Sequence, residues 1–163
     1  MDTPVELSVA DRQVLSAAAV AVIAALIGAS PSNPLGVMQE VGAAVARFHA
    51  AASAPASNPL IAAALVDLKG SYERYTGGAT TGSVDIFALA RDPDAAVASV
   101  ANANHLIAGY EPTHAAAYRS WLIDLAQAVA QAASEGGLMG IGGERVSSAE
   151  QALIERITAA LGA

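Results

Sequence analysis

The sequence contains no cysteine, which excludes disulfide bonds and metal sites built on thiolates. A chain of 163 residues does not need such cross-links, because a single domain of this size buries roughly 70% of the surface of its unfolded form. Aromatic residues make up only 4% of the sequence, and the alternation of β-branched or aromatic residues that is typical of strands is scarce. We therefore predict one helical domain that covers residues 1–163.

Basic side chains are also scarce. Eight of them stand against fifteen acidic ones, which gives a net charge of −7, and the only lysine is Lys69. A surface that binds nucleic acid normally shows a basic stripe, and no such cluster occurs along this chain. The same charge balance disfavours contact with anionic membranes. Composition therefore predicts that neither nucleic acid nor a membrane surface is a partner.

The strongest apolar run, "VLSAAAVAVIAALIG" at Val14–Gly28, is shorter than the about 20 residues that cross a bilayer. The residues before it are mainly acidic (Asp2, Glu6 and Asp11 against Arg12), whereas a signal peptide begins with a basic segment. We interpret the run as a buried core helix. The expectation is a cytoplasmic protein without a membrane span.

Alanine dominates what is present, and apolar residues recur with the helical period of 3.6. Glycine, proline and asparagine divide the chain into about seven helical segments. These are Ser8–Gly28, Leu35–Ser53, Pro59–Tyr75, Val84–Arg91, Pro93–Gly109, Pro112–Glu135 and Ser147–Leu161. The fold class predicted is an all-α, single-domain bundle of these seven helices, with a flexible segment at "TGGATTGS", residues 76–83.

Several of the predicted helices begin with a recognisable N-terminal signal. The signals are Ser8 with Asp11, Asn33 before Pro34, Asn58 before Pro59, and Asp92 before Pro93. The side chain of the first residue in each pair can accept a hydrogen bond from a free N–H of the first turn, and proline suits the first helical position. The sequence "SNPL" occurs twice, and we interpret both copies as the same N-terminal helix signal rather than as a tandem repeat.

The last two predicted helices are the clearest amphipaths. In the first of them, Pro112–Glu135, apolar residues lie on one side of the helix and polar residues on the other. The apolar ones are Tyr118, Trp121, Leu122, Leu125, Val129 and Ala132, and the polar ones are Arg119, Asp124, Gln127 and Gln131. In the second, Leu153, Ile154, Ile157 and Leu161 face away from Gln151, Glu155 and Arg156. At this spacing the aromatic residues are core residues rather than part of a ligand site.

Between these helices lies the glycine-rich stretch "SEGGLMGIGGERVSSAEQ", Ser134–Gln151. It lacks the lysine of a phosphate-binding loop, a helix rather than a strand precedes it, and Arg145 occupies the third glycine position of a dinucleotide fingerprint. Aligned as a calcium-binding loop, it offers only Glu135 among the four ligand positions tested. We interpret it as a packed corner between two helices. Ser147 and Glu150 then form a capping box worth on the order of 1 kcal/mol.

The pair Glu111 and His114 has the E-x-x-H spacing of a di-iron helix. A second such motif is absent, and Pro112 places the pair at the start of a helix. We interpret both residues as polar residues of a first helical turn. The sequence also contains no motif for nucleophilic catalysis, so no catalytic residue is predicted.

The segment "GGERVSSAEQALIERITAALG", residues 142–162, resembles the helix-entry motif that closes proteins of the TerB-like family. Members of that family are helical bacterial proteins linked to tellurite resistance, in which a loop of the form "ADGEIS..E" leads into an amphipathic helix. Glu144, Ser147 and Glu150 match the polar positions of that loop, whereas Gly142 replaces its first acidic residue. The resemblance implies a TerB-like bundle, built from two related halves in which Glu40 and Glu150 correspond.

Three functions follow as expectations. The first is a non-enzymatic interaction or stress-response module without a cofactor, which binds a second copy of itself or another protein. The second, implied by the resemblance, is a site for a divalent cation such as calcium at Glu40, Glu144 and Glu150, although calcium prefers six to eight oxygen ligands. The third is a small-molecule binder with a pocket between helices. In the simpler alternative to a metal site, the glutamates only stabilise helix N-termini.

Overall fold

The computed structural model describes residues 7–29, 34–54, 58–76, 90–135 and 146–163, and the regular structure within these ranges is helical. The helices are α1 (Val9–Ala29), α2 (Pro34–Ala52), α3 (Pro59–Thr76), α4 (Pro93–Ile107), α5 (Pro112–Glu135) and α6 (Ser148–Ala160). The all-α class is confirmed. The count of seven is not, because only Ala90 and Arg91 of the predicted segment Val84–Arg91 are described, and both are helical.

The predicted helix starts are confirmed wherever the structure describes them. Ser8 and Asp11 exchange hydrogen bonds of 3.1 Å between side chain and backbone N–H. Asn58 Oδ1 accepts from the backbone N–H groups two and three residues further on, at 2.9 and 3.2 Å. Asp92 accepts from the N–H three residues on, at 3.0 Å. In each case a side chain replaces the missing hydrogen-bond acceptor of a first helical turn.

Helix α1 forms the centre of the bundle and packs against each of the five other described helices. Much of its buried surface is alanine, which favours the helix and lets neighbouring helices approach closely. One polar residue, Ser16, is also buried there, and its hydroxyl donates to Asp67 of α3 at 2.5 Å. The small side chain of alanine therefore lets other helices pack closely against α1.

The length of α1 also bears on the membrane question. The helix has 21 residues and is long and apolar enough to cross a bilayer by length and composition. It is longer than the apolar run Val14–Gly28, so the length of that run does not by itself decide whether α1 spans a membrane. Half of its most apolar window is buried among the other helices, which is the packing of a core helix. That packing agrees with the interpretation of α1 as a core helix, and the absence of a membrane span stays a prediction.

The amphipathic faces of α5 and α6 bury the residues that their periodicity predicts. The buried set comprises Tyr118, Trp121, Leu122, Leu125, Val129, Leu153, Ile154, Ile157 and Leu161, and the remaining predicted residue, Ala132, is half-buried. Among the described residues, Tyr118 is the largest fully buried side chain, and its hydroxyl donates to the Leu15 carbonyl of α1 at 2.7 Å. Trp121 lies between Tyr118 and Phe48 of α2, with ring centroids 5.7 and 6.1 Å away. These aromatic rings therefore join α1, α2 and α5.

One residue of α5 departs from the prediction. Arg119, which the periodicity places on the solvent side, is half-buried, and its Nε donates to Asn104 Oδ1 of α4 at 2.7 Å. The amide of Asn104 in turn donates to the carbonyl of Ala160 at the end of α6, at 3.0 Å. A single asparagine thus connects three helices, a role that helical periodicity does not predict.

Two predictions concern residues outside the described part of the chain. The packed glycine corner at 136–143 lies there entirely, as does the predicted flexible segment 76–83 except Thr76, the last residue of α3. Both stay predictions.

Candidate functional site

The most distinctive surface among the described residues is an exposed apolar face of α2. We call it the α2 face and define it by Met38, Val41, Gly42, Val45 and Ala46. The side chains of Met38, Val41 and Val45 are 72%, 45% and 46% exposed, and they account for three of the five large apolar residues that are exposed in the described part of the chain. The other two, Val9 and Val66, lie on α1 and α3. A group of three on one helix is a patch, whereas single exposed apolar residues are ordinary.

The opposite side of α2 shows why this face is unusual. Glu40, the only carboxylate of the helix, is completely buried, and Ala44 on the same side is also buried. The helix therefore places a carboxylate in the bundle and its methionine and two of its valines in water. Burying such side chains normally stabilises a protein by about 1.5–3 kcal/mol each, and buried carboxylates are rare. The arrangement is understandable if a partner covers the α2 face.

Gly42 lies in the middle of this face. A Cβ atom placed on it would have no other atom within 4 Å, apart from its own helix. The missing side chain leaves a shallow notch between Met38 and Ala46, one turn away on either side, where another backbone can approach closely. No charged residue lies on the face, and exposed His49 follows it one turn after Val45.

The three glutamates of the predicted metal site lie in different situations. Glu40 is buried in α2, Glu150 is buried at the start of α6, and Glu144 lies outside the described residues. Within the described ranges, no three histidine, aspartate or glutamate side chains come together as a metal-binding group. One member of the predicted site, Glu144, lies outside the described residues, and the site stays a prediction. Calorimetry with calcium is its direct test.

Glu150 has a defined structural role. Its backbone N–H donates to Ser147 Oγ at 3.2 Å, and its Oε2 accepts from the Ser147 N–H at 2.8 Å. This is the predicted capping box, and it places negative charge at the positive end of α6. The simpler interpretation is confirmed for this residue. Its second oxygen, Oε1, is buried and accepts no hydrogen bond from the part of the chain that the structure describes.

Glu111 and His114 are first-turn residues, as predicted, and Glu111 caps α5. Its Oε2 accepts from the Thr113 and His114 N–H groups at 3.0 and 3.2 Å, and also from the Thr113 hydroxyl. The Thr113 hydroxyl and, to a smaller extent, these N–H groups lower the pKa of Glu111. His114 Nδ1 lies 3.9 Å from the same carboxylate, and the other two histidines, His49 and His105, are exposed on other helices. The E-x-x-H pair thus forms a helix cap.

The Glu111 cap predicts a pH-dependent contribution to stability. Because folding lowers the pKa of Glu111, its contribution is complete above the pKa of the unfolded chain and disappears as the pH falls through the pKa of the folded chain. We expect the Tm advantage of the wild type over Glu111→Gln to shrink between about pH 6 and about pH 3. Thermal unfolding followed by circular dichroism measures it, with Asp124→Asn in the same helix as the control. A Tm difference that is independent of pH would contradict the role of the charge.

A cleft of about 370 Å³ lies between α1 and α4. Its lining comprises Ala10, Gln13, Val14, Ala17, Ser99 and Asn102. The volume is at the lower end of the range for ligand pockets, and the cleft is open to solvent rather than enclosed. Its polar lining residues are Gln13, Ser99 and Asn102, and none of the lining residues is charged. Small-molecule binding stays a prediction.

The TerB-like resemblance of residues 142–162 stays a prediction, as does the cytoplasmic location. No protein-family model, no curated protein and no solved structure matches this chain.

Proposed function

We propose that this protein is a helical interaction module whose docking surface is the α2 face. The observation that carries the proposal is the reversed polarity of α2, with Met38 72% exposed and Glu40 fully buried. A helix that keeps this arrangement leaves apolar surface in water that a partner can cover. The proposal is for binding rather than catalysis, because the feature that stands out is an apolar surface and not a set of polar groups around a pocket.

The shape of the face supports the docking of another helix. Its members lie at i, i+3, i+4, i+7 and i+8, so they form one stripe along α2 that is about 12 Å long at 1.5 Å per residue. Helices that bind in grooves present residues at this spacing. The opposite side of α2 packs on α5 through Phe48 and Trp121, which gives the stripe a fixed support.

The resemblance of residues 142–162 to TerB-like proteins gives the proposal a cellular setting. Under it, the bundle has a TerB-like fold with two related halves and acts in a bacterial stress response. The confirmed capping box at Ser147 and Glu150 agrees with the motif, although such a box also occurs in unrelated helices.

Site-specific cross-linking tests the proposed function. A photoreactive phenylalanine analogue at position 38, in the chain made in its native cell, keeps the face apolar and is expected to form protein adducts. The same analogue at Ala117, an exposed position of α5, is the matched control. A Val45→Asp substitution in the position-38 variant is expected to remove the adducts, because a partner would have to bury the new carboxylate. Equal yields at positions 38 and 117 would contradict the proposal.

A further inference from the structure

We infer that the occupant of the α2 face is a second copy of this chain, bound with its α2 helix antiparallel and crossing at Gly42. This inference rests on the proposed function and specifies its partner. It follows from the absence of carboxylates on this face, from the positions of Met38 and Ala46 on either side of Gly42 and from the open space at Gly42.

The charge of the chain bears on which partner the face can take. The chain carries a net charge of −7, so two copies repel each other unless they meet through a part of the surface without carboxylates. The α2 face has no carboxylate, because Glu40, the acidic residue of this helix, points into the bundle. Two copies that meet through this face bring no like charges into contact, and they cover the apolar side chains of both.

The order of Met38, Gly42 and Ala46 makes this part of the α2 face complementary to itself. In a two-fold symmetric interface, contacts occur in pairs. If a residue of the first copy contacts a given residue of the second, the same two positions also meet with the copies exchanged. Met38 and Ala46 lie four residues before and four residues after Gly42. An antiparallel crossing at Gly42 therefore places the Met38 side chain of each copy against Ala46 of the other, a large residue on a small one. A parallel arrangement would pair methionine with methionine.

The open space at Gly42 permits the contact. A Cβ atom there would meet nothing within 4 Å, and Ala46 extends the small surface by one turn. The two backbones can therefore approach closely at the crossing point. Stable interfaces bury about 800 Å² on each partner, which is more than two or three turns of one helix provide. We therefore expect a weak dimer whose population increases with concentration.

The absence of cysteine allows a direct test by disulfide cross-linking. In Gly42→Cys the only two thiols of a dimer meet at the crossing point, where a disulfide needs Cα atoms about 4.4–6.8 Å apart. Ala117→Cys, with its thiol on the exposed side of α5, reports random collisions. Under mild oxidation at equal concentration, we expect about tenfold or more covalent dimer from Gly42→Cys than from Ala117→Cys, because association raises the effective thiol concentration. The product has twice the 16.2 kDa mass of the chain.

A double variant confirms that the α2 face is responsible. Adding Met38→Asp to Gly42→Cys is expected to reduce the covalent dimer to the level of Ala117→Cys, while circular dichroism shows an unchanged helix content. A Gly42→Cys yield no higher than that of Ala117→Cys would overturn the inference. If that happens while the photoreactive analogue at position 38 still cross-links to a different protein, the proposed function stands and only the second copy as partner is contradicted. If no adduct forms at position 38 either, both the proposed function and this inference are contradicted.

Discussion

Replacing Tyr118 by alanine is expected to lower the free energy of unfolding by about 3–5 kcal/mol. Tyr118 is the largest fully buried side chain described, and its ring packs 5.7 Å from that of Trp121. Truncation would open a cavity where α1, α2 and α5 meet, and it would also remove the hydrogen bond to the Leu15 carbonyl. Urea denaturation followed by far-ultraviolet circular dichroism measures the loss.

Tyr118→Phe separates the ring from its hydroxyl. The ring still fills its site, and the Leu15 carbonyl, which lies within α1, loses only the additional donor. We expect a cost of about 0.5–1.5 kcal/mol. Tyr110→Phe is the comparison near the surface, because the hydroxyl of half-buried Tyr110 bonds to the Asp11 carboxylate, and we expect a smaller change, below about 0.5 kcal/mol. Equal effects of the two Tyr→Phe substitutions would show that burial does not strengthen the Tyr118 hydrogen bond.

Burial also raises the pKa of the Tyr118 hydroxyl far above its ordinary value. The ionised form is disfavoured in an apolar site, so this tyrosine keeps its proton in the folded protein. Its hydroxyl therefore remains a donor to Leu15 across the whole range in which the bundle is folded. The bond has no pH switch.

The parts of the fold that sequence predicts well are those that depend on neighbouring residues. Ser147 and Glu150 bond to each other across one helical turn, so their spacing alone determines the contact, and the same holds for Ser8 with Asp11. The buried faces of α5 and α6 also follow from local spacing, since each apolar stripe has one side to bury. These predictions are confirmed without knowledge of how the helices are arranged.

The candidate site could not be predicted in this way, because it depends on which side of α2 faces the bundle. Met38, Val41 and Val45 lie at i, i+3 and i+7, the ordinary spacing of a buried stripe, and Glu40 has the character of a surface residue. In the structure the three apolar side chains are exposed and Glu40 is buried. The packing of α2 on its neighbours, chiefly α5, through residues distant in sequence, determines this choice. Arg119 differs from its prediction for the same reason, since its partner Asn104 lies on α4.

Gly28→Ala is expected to lower the free energy of unfolding by about 1–3 kcal/mol, although alanine is the better helix former. Gly28 lies near the end of α1, where the chain at Ala90 crosses it. A Cβ atom on Gly28 would overlap the carbonyl oxygen of Ala90 and lie 2.7 Å from its carbonyl carbon. These are backbone atoms and cannot rotate away as a side chain would. Relief of the overlap therefore requires α1 and the backbone at Ala90 to move apart.

Gly42→Ala is the matched control, with the same substitution inside α2. No atom lies within 4 Å of its new Cβ, so only the gain in helix propensity remains, about 0.5–1 kcal/mol. Urea denaturation of both variants, at concentrations where a single chain prevails, should therefore give effects of opposite sign. A Gly28→Ala variant as stable as the wild type would contradict the close approach of Ala90 to α1. Because the two variants differ only in what surrounds the glycine, the difference between them measures the contact itself and not the residue type.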